Sequence, residues 1–365
     1  MSNALTTWNS QREKELNLLV PLLSTLGYVL DEEQPHLGGE RYLMRAVTTV
    51  SGKKFILLGT RESDGLRVVI KATRDPHGKR ELRHERLCKE VLKKIRFAYH
   101  TFLSPEELVF VTKKSFLISI HTFIDQPPFL SRPIEEQFSY ALEAFKAQER
   151  AHASTYEHER LIRKTFGSKN AAAYSKTFAE FKKTIQEDPE NAPLIPLLET
   201  VEQELCAGAL TLDRYGNFLT HTDFVPHNFR IRDGKMYLLD HSSLRFGNKY
   251  EGWARFINFM VLYNKPLADA LLKYVIDNRN EEEVLSLRLM RLYRLGEIIC
   301  YYVTTLKDSE GDLHTLNAER VRFWGRILEA VVTNTEVSSA LIESYTKKRD
   351  SLRTHDEKRR QRNLH

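Results

Sequence analysis

The chain has 365 residues, of which 41% are hydrophobic and 28% are charged. This composition is that of an ordinary globular protein and excludes a disordered or fibrous chain. The longest apolar runs fall well short of the roughly 18 residues that a membrane-spanning helix needs. Charged residues occupy the opening segment, where a signal peptide would carry an apolar core. We therefore expect one large domain or two modest ones, located in the cytoplasm.

The net charge of +6 is concentrated at the C-terminus. Residues 347–365 hold eight lysines and arginines against three acidic residues, which accounts for +5 of that charge. The rest of the chain is close to neutral, so the charge describes a terminal segment that is a candidate for contact with an acidic partner. The three cysteines are too far apart in sequence for a CxxC metal site or a disulfide framework.

The first third of the chain is dominated by short apolar and β-branched runs, which are typical of strands. A helical opening precedes them, and one polar stretch with helical spacing interrupts them. The sequence therefore predicts an antiparallel sheet with one inserted helix. The predicted helices are Trp8–Leu26 and Lys79–Arg96, and the predicted strands are Tyr42–Val50, Lys54–Glu62, Leu66–Thr73, Leu108–Thr112 and Phe116–Ile124.

From Glu135 onward the apolar spacing is helical almost throughout. One exception is the segment Tyr215–Phe246, where short β-like runs, Phe229–Arg232 and Met236–Asp240, flank an Asp-Gly turn. An irregular segment inside a helical domain is where we expect chemistry. The predicted helices are 135–153, 171–187, 194–212, 253–263, 267–278, 282–306, 318–333 and 338–348.

Two carboxylates and an amide lie in that irregular segment. Asp223 and Asn228 precede the predicted hairpin, and Asp240 follows it. Phosphoryl transfer needs a carboxylate to orient or deprotonate the attacking hydroxyl, and hard oxygen ligands for the magnesium that bridges the phosphates. Asp223 suits the first task, and Asn228 with Asp240 suits the second.

A lysine ends an apolar run earlier in the chain. Lys71 follows Val68, Val69 and Ile70, and a buried lysine needs an anionic partner. Glu85 in the following helix is the best placed, with Glu81 and Glu90 as alternatives. A strand lysine held by a helix glutamate is the device with which protein kinases hold the α- and β-phosphates.

These residues, in this order, resemble the aminoglycoside phosphotransferase and choline kinase-like small-molecule kinases over residues 35 to 345. The resemblance rests on His221-x-Asp223 with Asn228 five positions later, followed by Leu239-Asp240-His241. It implies that Asp223 is the catalytic aspartate, that Asn228 and Asp240 are metal ligands, and that His221 is structural. It further implies that Lys71 and Glu85 form the phosphate-holding pair.

The chain departs from the family pattern at three places. His227 stands where the family usually has glycine before the asparagine. The segment Gly247–Gly252 lacks both aspartates of the family's Gly-Asp-Pro-x-x-Asp element, with Glu251 as a displaced substitute. The phosphate-covering loop is reduced to Ser51 and Gly52 before Lys53, with Gly38-Gly39 one predicted strand earlier.

The resemblance also places the nucleotide base at the connection between the lobes. We expect this connection at Ser119–Phe123, with main-chain contacts at Ile120 and Thr122. The sequence therefore predicts an α+β, two-lobed protein kinase-like fold: a helical extension (1–34), a nucleotide-binding sheet lobe (35–123), a helical lobe with the acceptor site (124–346) and a basic tail (347–365).

The expected activity is phosphorylation of a small-molecule hydroxyl by MgATP or MgGTP. The alternative is a pseudokinase that acts as a regulatory or scaffolding partner, which the altered Gly247–Gly252 element favours. Phosphorylation of a protein or polymer is disfavoured, since no Ala-Pro-Glu activation segment follows Asp240. Sugars, amino alcohols, nucleosides and lipid head groups remain open as acceptors.

Overall fold

The computed structural model describes residues 2–32, 34, 54–95, 103–155, 158–353 and 358. Within them the chain forms an N-terminal lobe built on an antiparallel sheet and a larger helical lobe, as predicted. The predicted strand 42–50, the Ser51–Gly52 loop and the Gly38–Gly39 pair lie outside the described residues.

The N-terminal lobe is a five-stranded antiparallel sheet in the order β1-β2-β3-β5-β4. One helix precedes the sheet and one is inserted between β3 and β4, which confirms the predicted arrangement. The elements are α1 (Ser2–Ser24), β1 (Tyr28–Leu30), β2 (Phe55–Arg61), β3 (Arg67–Thr73), α2 (Pro76–Lys94), β4 (Glu107–Lys113) and β5 (Phe116–Thr122).

Strand β3 lies at the centre of this sheet and alternates between its two faces. Val68, Ile70 and Ala72 are fully buried in the core of the lobe, together with leucines of α1. Because successive side chains of a strand point to opposite faces, Lys71 projects from the other side. That side faces α2.

Helix α2 begins where the sequence carries a capping signal. Asp75 accepts a hydrogen bond from the Gly78 backbone N–H at 2.7 Å, and Pro76 occupies the first turn. The apolar face of α2, including Cys88, Val91 and Leu92, belongs to the hydrophobic core of the helical lobe. The inserted helix therefore connects the two lobes rather than belonging to the sheet lobe alone.

The helical lobe contains ten α-helices and two short strand pairs among the described residues. Strand β6 pairs with β9, and β7 pairs with β8, both antiparallel. The elements are α3 (Ile134–Thr155), α4 (Glu159–Phe166), α5 (Ala171–Gln186), α6 (Ile195–Ala207), α7 (Ala209–Arg214), β6 (Phe218–His221), β7 (Phe229–Arg232), β8 (Lys235–Leu238), β9 (Leu244–Gly247), α8 (Glu251–Tyr263), α9 (Lys265–Asn278), α10 (Glu281–Leu306), α11 (Gly311–Val332) and α12 (Ser339–Leu352).

Three sequence-based assignments in this lobe need correction. The helix predicted at 194–212 is two helices that meet at Gly208, where a Cβ would lie 2.3 Å from Leu289 Cδ1. Helix α4 and the pair β6–β9 were not predicted, because each is too short to show a clear period. The predicted boundary at residue 347 falls inside α12, and the Arg349 and Arg353 side chains are only 12% and 7% exposed.

Helix α8 provides the centre of the helical core. Trp253, Phe256 and Met260 are almost completely buried and recur at helical spacing, so they form one core face of this helix. Phe145 of α3 stacks on Trp253 with the ring centroids 4.1 Å apart. Among the described helices, none is long and apolar enough to cross a membrane.

The close approach of α10 to α5 generates a stability prediction. A Cβ on Gly296 would lie 2.3 Å from Cε2 of the fully buried Phe178. We expect Gly296→Ala to lower the free energy of unfolding by about 1–3 kcal/mol through overpacking, although alanine is the better helix former. Urea unfolding measures this change.

Gly325→Ala is the matched control for that substitution. Its Cβ would meet only the terminal Cδ2 of Leu194, at 2.7 Å, and the end of a flexible side chain can move. We expect a clearly smaller loss of stability, and equal losses in the two variants would contradict the packing argument.

Candidate active site

The candidate catalytic loop, residues 222–228, follows β6 and is held by a buried histidine. His221 is completely buried, and its Nε2 contacts the carbonyl oxygens of Leu239 at 3.0 Å and Asp240 at 3.2 Å. The His221 backbone N–H donates to Oε1 of Gln148 at 3.2 Å. His221 thus joins the loop before the β7–β8 hairpin to the segment after it, and the prediction that it is structural is confirmed.

Asp223 and Asn228 are in direct contact. Asn228 Nδ2 donates to Oδ2 of Asp223 and to its carbonyl oxygen, both at 2.8 Å. The use of Nδ2 leaves the carboxamide Oδ1 as the atom suited to a metal ion. The spacing of the two residues in the sequence therefore corresponds to proximity in space.

Arg255 of α8 binds the other oxygen of Asp223. Its Nε donates to Asp223 Oδ1 at 2.8 Å, and the two side chains are 23% and 38% exposed. Burial alone would raise the pKa of Asp223, but the guanidinium groups of Arg255 and Arg294 outweigh burial and hold that pKa well below its ordinary value. Asp223 is therefore a carboxylate throughout the physiological pH range.

Asp240 follows the hairpin in a left-handed backbone conformation, with φ of 52°. A non-glycine residue in this region is uncommon and is often found at functional sites. Its Oδ2 accepts from the Ser243 hydroxyl at 2.6 Å, and its Oδ1 accepts from the Ser242 hydroxyl. The carboxylate is thus oriented by Ser242 and Ser243, the second and third residues after it in the 241–243 turn.

Lys71 and Glu85 form the predicted ion pair. Lys71 Nζ lies 2.7 Å from both carboxylate oxygens of Glu85, and Lys89 Nζ lies 3.2 Å from Oε1. Burial alone would raise the pKa of Glu85, but the two ammonium groups hold it well below its usual range. The alternative partners are engaged elsewhere, Glu81 with Lys54 and Glu90 with Arg86.

Helix α2 brings this ion pair close to Asp240. The helix packs against the 241–243 turn, and the Cys88 thiol lies within electrostatic range of both Glu85 and Asp240. His121 of β5 lies beside the same lysines, where burial and the positive charge of Lys89 and Lys71 lower its pKa to about 3. The imidazole is therefore neutral, and it contacts the Ser119 hydroxyl through Nε2 at 2.7 Å.

The connection between the lobes begins later than predicted. Ile120 and Thr122 both lie in β5, which is hydrogen-bonded between β3 and β4, so the prediction that the connection starts at Ser119 is wrong. The Thr122 backbone N–H and hydroxyl are both bonded to the backbone of Glu106, at 3.0 and 3.1 Å. The connection starts at Phe123.

Gln126 joins this connection to the β7–β8 hairpin. Its Oε1 accepts from the Ile231 N–H at 2.6 Å, and its Nε2 donates to the Phe229 carbonyl at 3.3 Å. The strand that follows Asn228 is thereby attached to the segment that links the lobes.

A different hydrogen-bond network takes the place of the missing aspartates in Gly247–Gly252. Glu251 is 1% exposed and accepts from the Tyr174 hydroxyl at 2.6 Å. The Tyr174 oxygen in turn accepts from the Asn248 N–H at 3.1 Å, and Asn248 Nδ2 donates to Ser286 Oγ at 2.9 Å. The start of α8 is therefore well supported without the family's aspartates.

Sequence reasoning missed three residues that the site contains: Arg255, Lys89 and Gln126. Arg255 lies one helical turn after Glu251, and Lys89 lies one turn after Glu85, so helical spacing from a recognised residue would have found both. Gln126 carried no such signal, because its partners are backbone groups far along the chain.

By sequence, the chain matches no protein-family model and no curated protein. Its structure is similar to a thermostable mutant of aminoglycoside phosphotransferase APH(4)-Ia in the apo form, with a TM-score of 0.52, 13% identity and coverage of 78% of this chain and 94% of that one. It is also similar to macrolide 2'-phosphotransferase type I, with a TM-score of 0.51, 14% identity and coverage of 89% and 98%.

A third similar structure is the GDP complex of a mutant of aminoglycoside 2'-phosphotransferase-IIIa, with a TM-score of 0.52, 10% identity and coverage of 81% and 95%. At these identities the similarity establishes the fold. The chain has the two-lobed, kinase-like fold of aminoglycoside and macrolide phosphotransferases.

Proposed function

We propose that this protein is a small-molecule kinase that transfers the γ-phosphoryl group of ATP or GTP to a hydroxyl group. The observation that carries the proposal is the direct contact of Asp223 with Asn228, whose carbonyl oxygen accepts from the Leu239 N–H beside Asp240 at 2.8 Å. The turn after Asp240 packs against α2, the helix that carries Glu85 of the Lys71–Glu85 pair. A purely structural role, such as a helix cap or a surface ion pair, would not require these five side chains in one part of the structure.

Each residue has a defined task in this reaction. Lys71, oriented by Glu85, donates hydrogen bonds to the α- and β-phosphates. Asp223 orients the acceptor hydroxyl and takes its proton as the new phosphate ester bond forms. Positioning and electrostatic stabilisation account for most of the catalysis in phosphoryl transfer.

The donor set fits magnesium bound together with a nucleotide. Asn228 and Asp240 would hold the ion, which neutralises charge on the departing phosphates when it is bound. No group of three His, Cys, Asp or Glu side chains in the described part of the chain could hold a metal ion. A magnesium ion held by Asn228 and Asp240 would take its remaining ligands from phosphates and water.

One observation favours the alternative, a nucleotide-binding scaffold without catalysis. Both carboxylates of the site are occupied, Asp223 by Arg255 and Asp240 by the hydroxyls of Ser242 and Ser243. Hydroxyl contacts are compatible with a metal ligand, whereas the Arg255 guanidinium occupies the oxygen that an acceptor would approach. Separate measurements of nucleotide binding and turnover distinguish the two functions.

Thermal unfolding with ATP or GTP, with and without magnesium, tests the metal site. A ligand at about a hundred times its Kd adds roughly 2.7 kcal/mol, which raises the Tm by several degrees. We expect a magnesium-dependent rise that Asp240→Asn abolishes, because the amide carries no charge for the cation. Asp233→Asn, in the nearby β7–β8 turn and 82% exposed, is the control and should keep the full rise.

The second test separates catalysis from binding. We expect Asp223→Ala to lower turnover by about 100-fold or more and to leave the nucleotide Kd within about twofold, because the carboxylate acts chiefly in the transition state. Phosphoryl transfer to a panel of alcohols, and to water as the basal acceptor, provides the rate. Equal losses of turnover and nucleotide binding would contradict the assignment, and nucleotide binding without turnover in the unsubstituted protein would establish the scaffold.

The pH dependence of kcat in Arg255→Met tests whether Arg255 lowers the pKa of Asp223. In the unsubstituted protein the pKa of Asp223 lies so far below neutrality that its protonation does not limit the rate at mildly acidic pH. Burial raises the pKa of Asp223, and in Arg255→Met only Arg294 remains of the two guanidinium groups that lower it. The pKa of Asp223 therefore rises. Since the carboxylate is the active form, we expect the acid limb of the kcat profile to move to higher pH.

Arg214→Met is the matched control for this measurement. It removes an arginine from an ion pair with Glu282 in which both side chains are largely exposed. We expect an unchanged pH profile, and an acid limb that stays in place in Arg255→Met would show that Arg255 does not set the pKa of Asp223.

A further inference from the structure

A cavity of about 310 Å³ lies in the helical lobe between α8, α9, α10, α11 and residues 334–337. Its walls are largely apolar and include Leu272, Val275, Leu287 and Val331. The volume is at the lower end of the range for small-molecule sites. A compact ligand with an apolar body fits this space.

The cavity is separate from the candidate active site. Arg255, which contacts Asp223, lies near the start of α8, whereas the wall residue Val261 lies near its end. At 1.5 Å of rise per residue, the two positions are about 9 Å apart along the helix axis. The lining of the cavity includes neither Asp223 nor Arg255.

Two of the three cations that line the cavity are fully paired. Lys265 Nζ donates to Asp269 at 2.6 Å and to Glu336 at 2.9 Å. Arg288 pairs with Glu204 and also donates to the carbonyl oxygens of Val331 and Val332. Neither cation needs a further anion.

Arg291 differs from these two cations. Its Nε donates to Asn258 Oδ1 at 3.0 Å, and this is the only hydrogen bond of its guanidinium to the described residues. Asp269 is close enough to favour the charged form, but its carboxylate is bonded to Lys265. Burial lowers the pKa of Arg291 to about 10, so it remains a cation at neutral pH.

The Nη atoms of this partly buried guanidinium have no hydrogen bond to the described residues, so an anion that enters the cavity could bind them. The same surroundings limit the charge of that anion. Asp269 and Glu336 are 52% and 84% exposed and also line the cavity, so a second negative charge on the ligand would be repelled. One anionic group joined to an apolar body satisfies both conditions.

We propose that this cavity is a binding site for a small monocarboxylate with a compact apolar body, and that Arg291 binds the carboxylate. The proposal is independent of the phosphotransferase reaction, because it involves no residue of the nucleotide or acceptor site. It assigns a second ligand to the protein, bound at the far end of the helix that contacts Asp223.

Titration calorimetry of the full chain tests the proposal with phenylacetate as the probe and phenylacetamide as its neutral counterpart. We expect phenylacetate to bind and phenylacetamide to bind roughly tenfold or more weakly, because the amide leaves the guanidinium without an anion. Phenyl phosphate and ATP carry more than one negative charge, so they test whether the cavity repels a second charge. We expect both to bind more weakly than phenylacetate at this site.

Substitutions then test whether Arg291 is the residue that binds the carboxylate. Arg291→Met should weaken phenylacetate binding by roughly tenfold or more, while Arg291→Lys keeps part of the affinity. Arg326→Met, which removes a cation of α11 that is 68% exposed, is the matched control and should bind like the unsubstituted protein. Thermal unfolding verifies that each variant is folded, and the comparison of acid with amide stands if Arg291→Met does not fold.

Three results would overturn the proposal: no binding of phenylacetate to the folded protein, equal binding of the acid and the amide, or equal binding of phenylacetate to folded Arg291→Met. Tighter binding of phenyl phosphate, unaffected by ATP in the nucleotide site, would reject the monocarboxylate. Nucleotide binding and turnover are measured separately, so failure here leaves the proposed phosphotransferase function unaffected.

Discussion

The packing of the two lobes against each other depends on the ion pairs of the buried Glu85 carboxylate. It lies on α2, whose apolar face is part of the helical core, and it binds Lys71 of the sheet and Lys89 of its own helix. A carboxylate buried to this extent is tolerated only with cations around it, and loss of one partner from such a group costs about 3–5 kcal/mol. The position of β3 is therefore coupled to that of α2 and, through α2, to the turn beside Asp240.

The candidate catalytic loop depends on a second buried polar group, the imidazole of His221. The left-handed backbone at Asp240 costs on the order of 1 kcal/mol or more, and the contacts of His221 with the carbonyl oxygens of Leu239 and Asp240 help to offset it. Asp240 is thus held beside the end of β6 by one side chain that itself touches no substrate in the proposed reaction. Glu85 and His221 together set the geometry of the site before any ligand binds.

Most of the architecture could be predicted because its elements are long or strongly patterned. The alternating burial of β3 and the aromatic face of α8 each leave a local signal, and so does the spacing from Asp223 to Asn228. Elements such as β6 and α4 are too short to show a period. The Arg255 contact and the role of α2 in the helical core depend on tertiary packing, which no local pattern encodes.

The charges between α8 and α10 determine how Asp223 can act in the proposed reaction. Arg294 of α10 approaches Glu251 at 3.6 Å, and both Arg294 and Arg255 lower the pKa of Asp223. A carboxylate held by two guanidinium groups is a weak base, far from the pKa near the working pH that general-base catalysis favours. In the proposed reaction Asp223 therefore acts first by orienting the acceptor hydroxyl. It takes the proton late, once the oxygen–phosphorus bond has made that hydroxyl far more acidic.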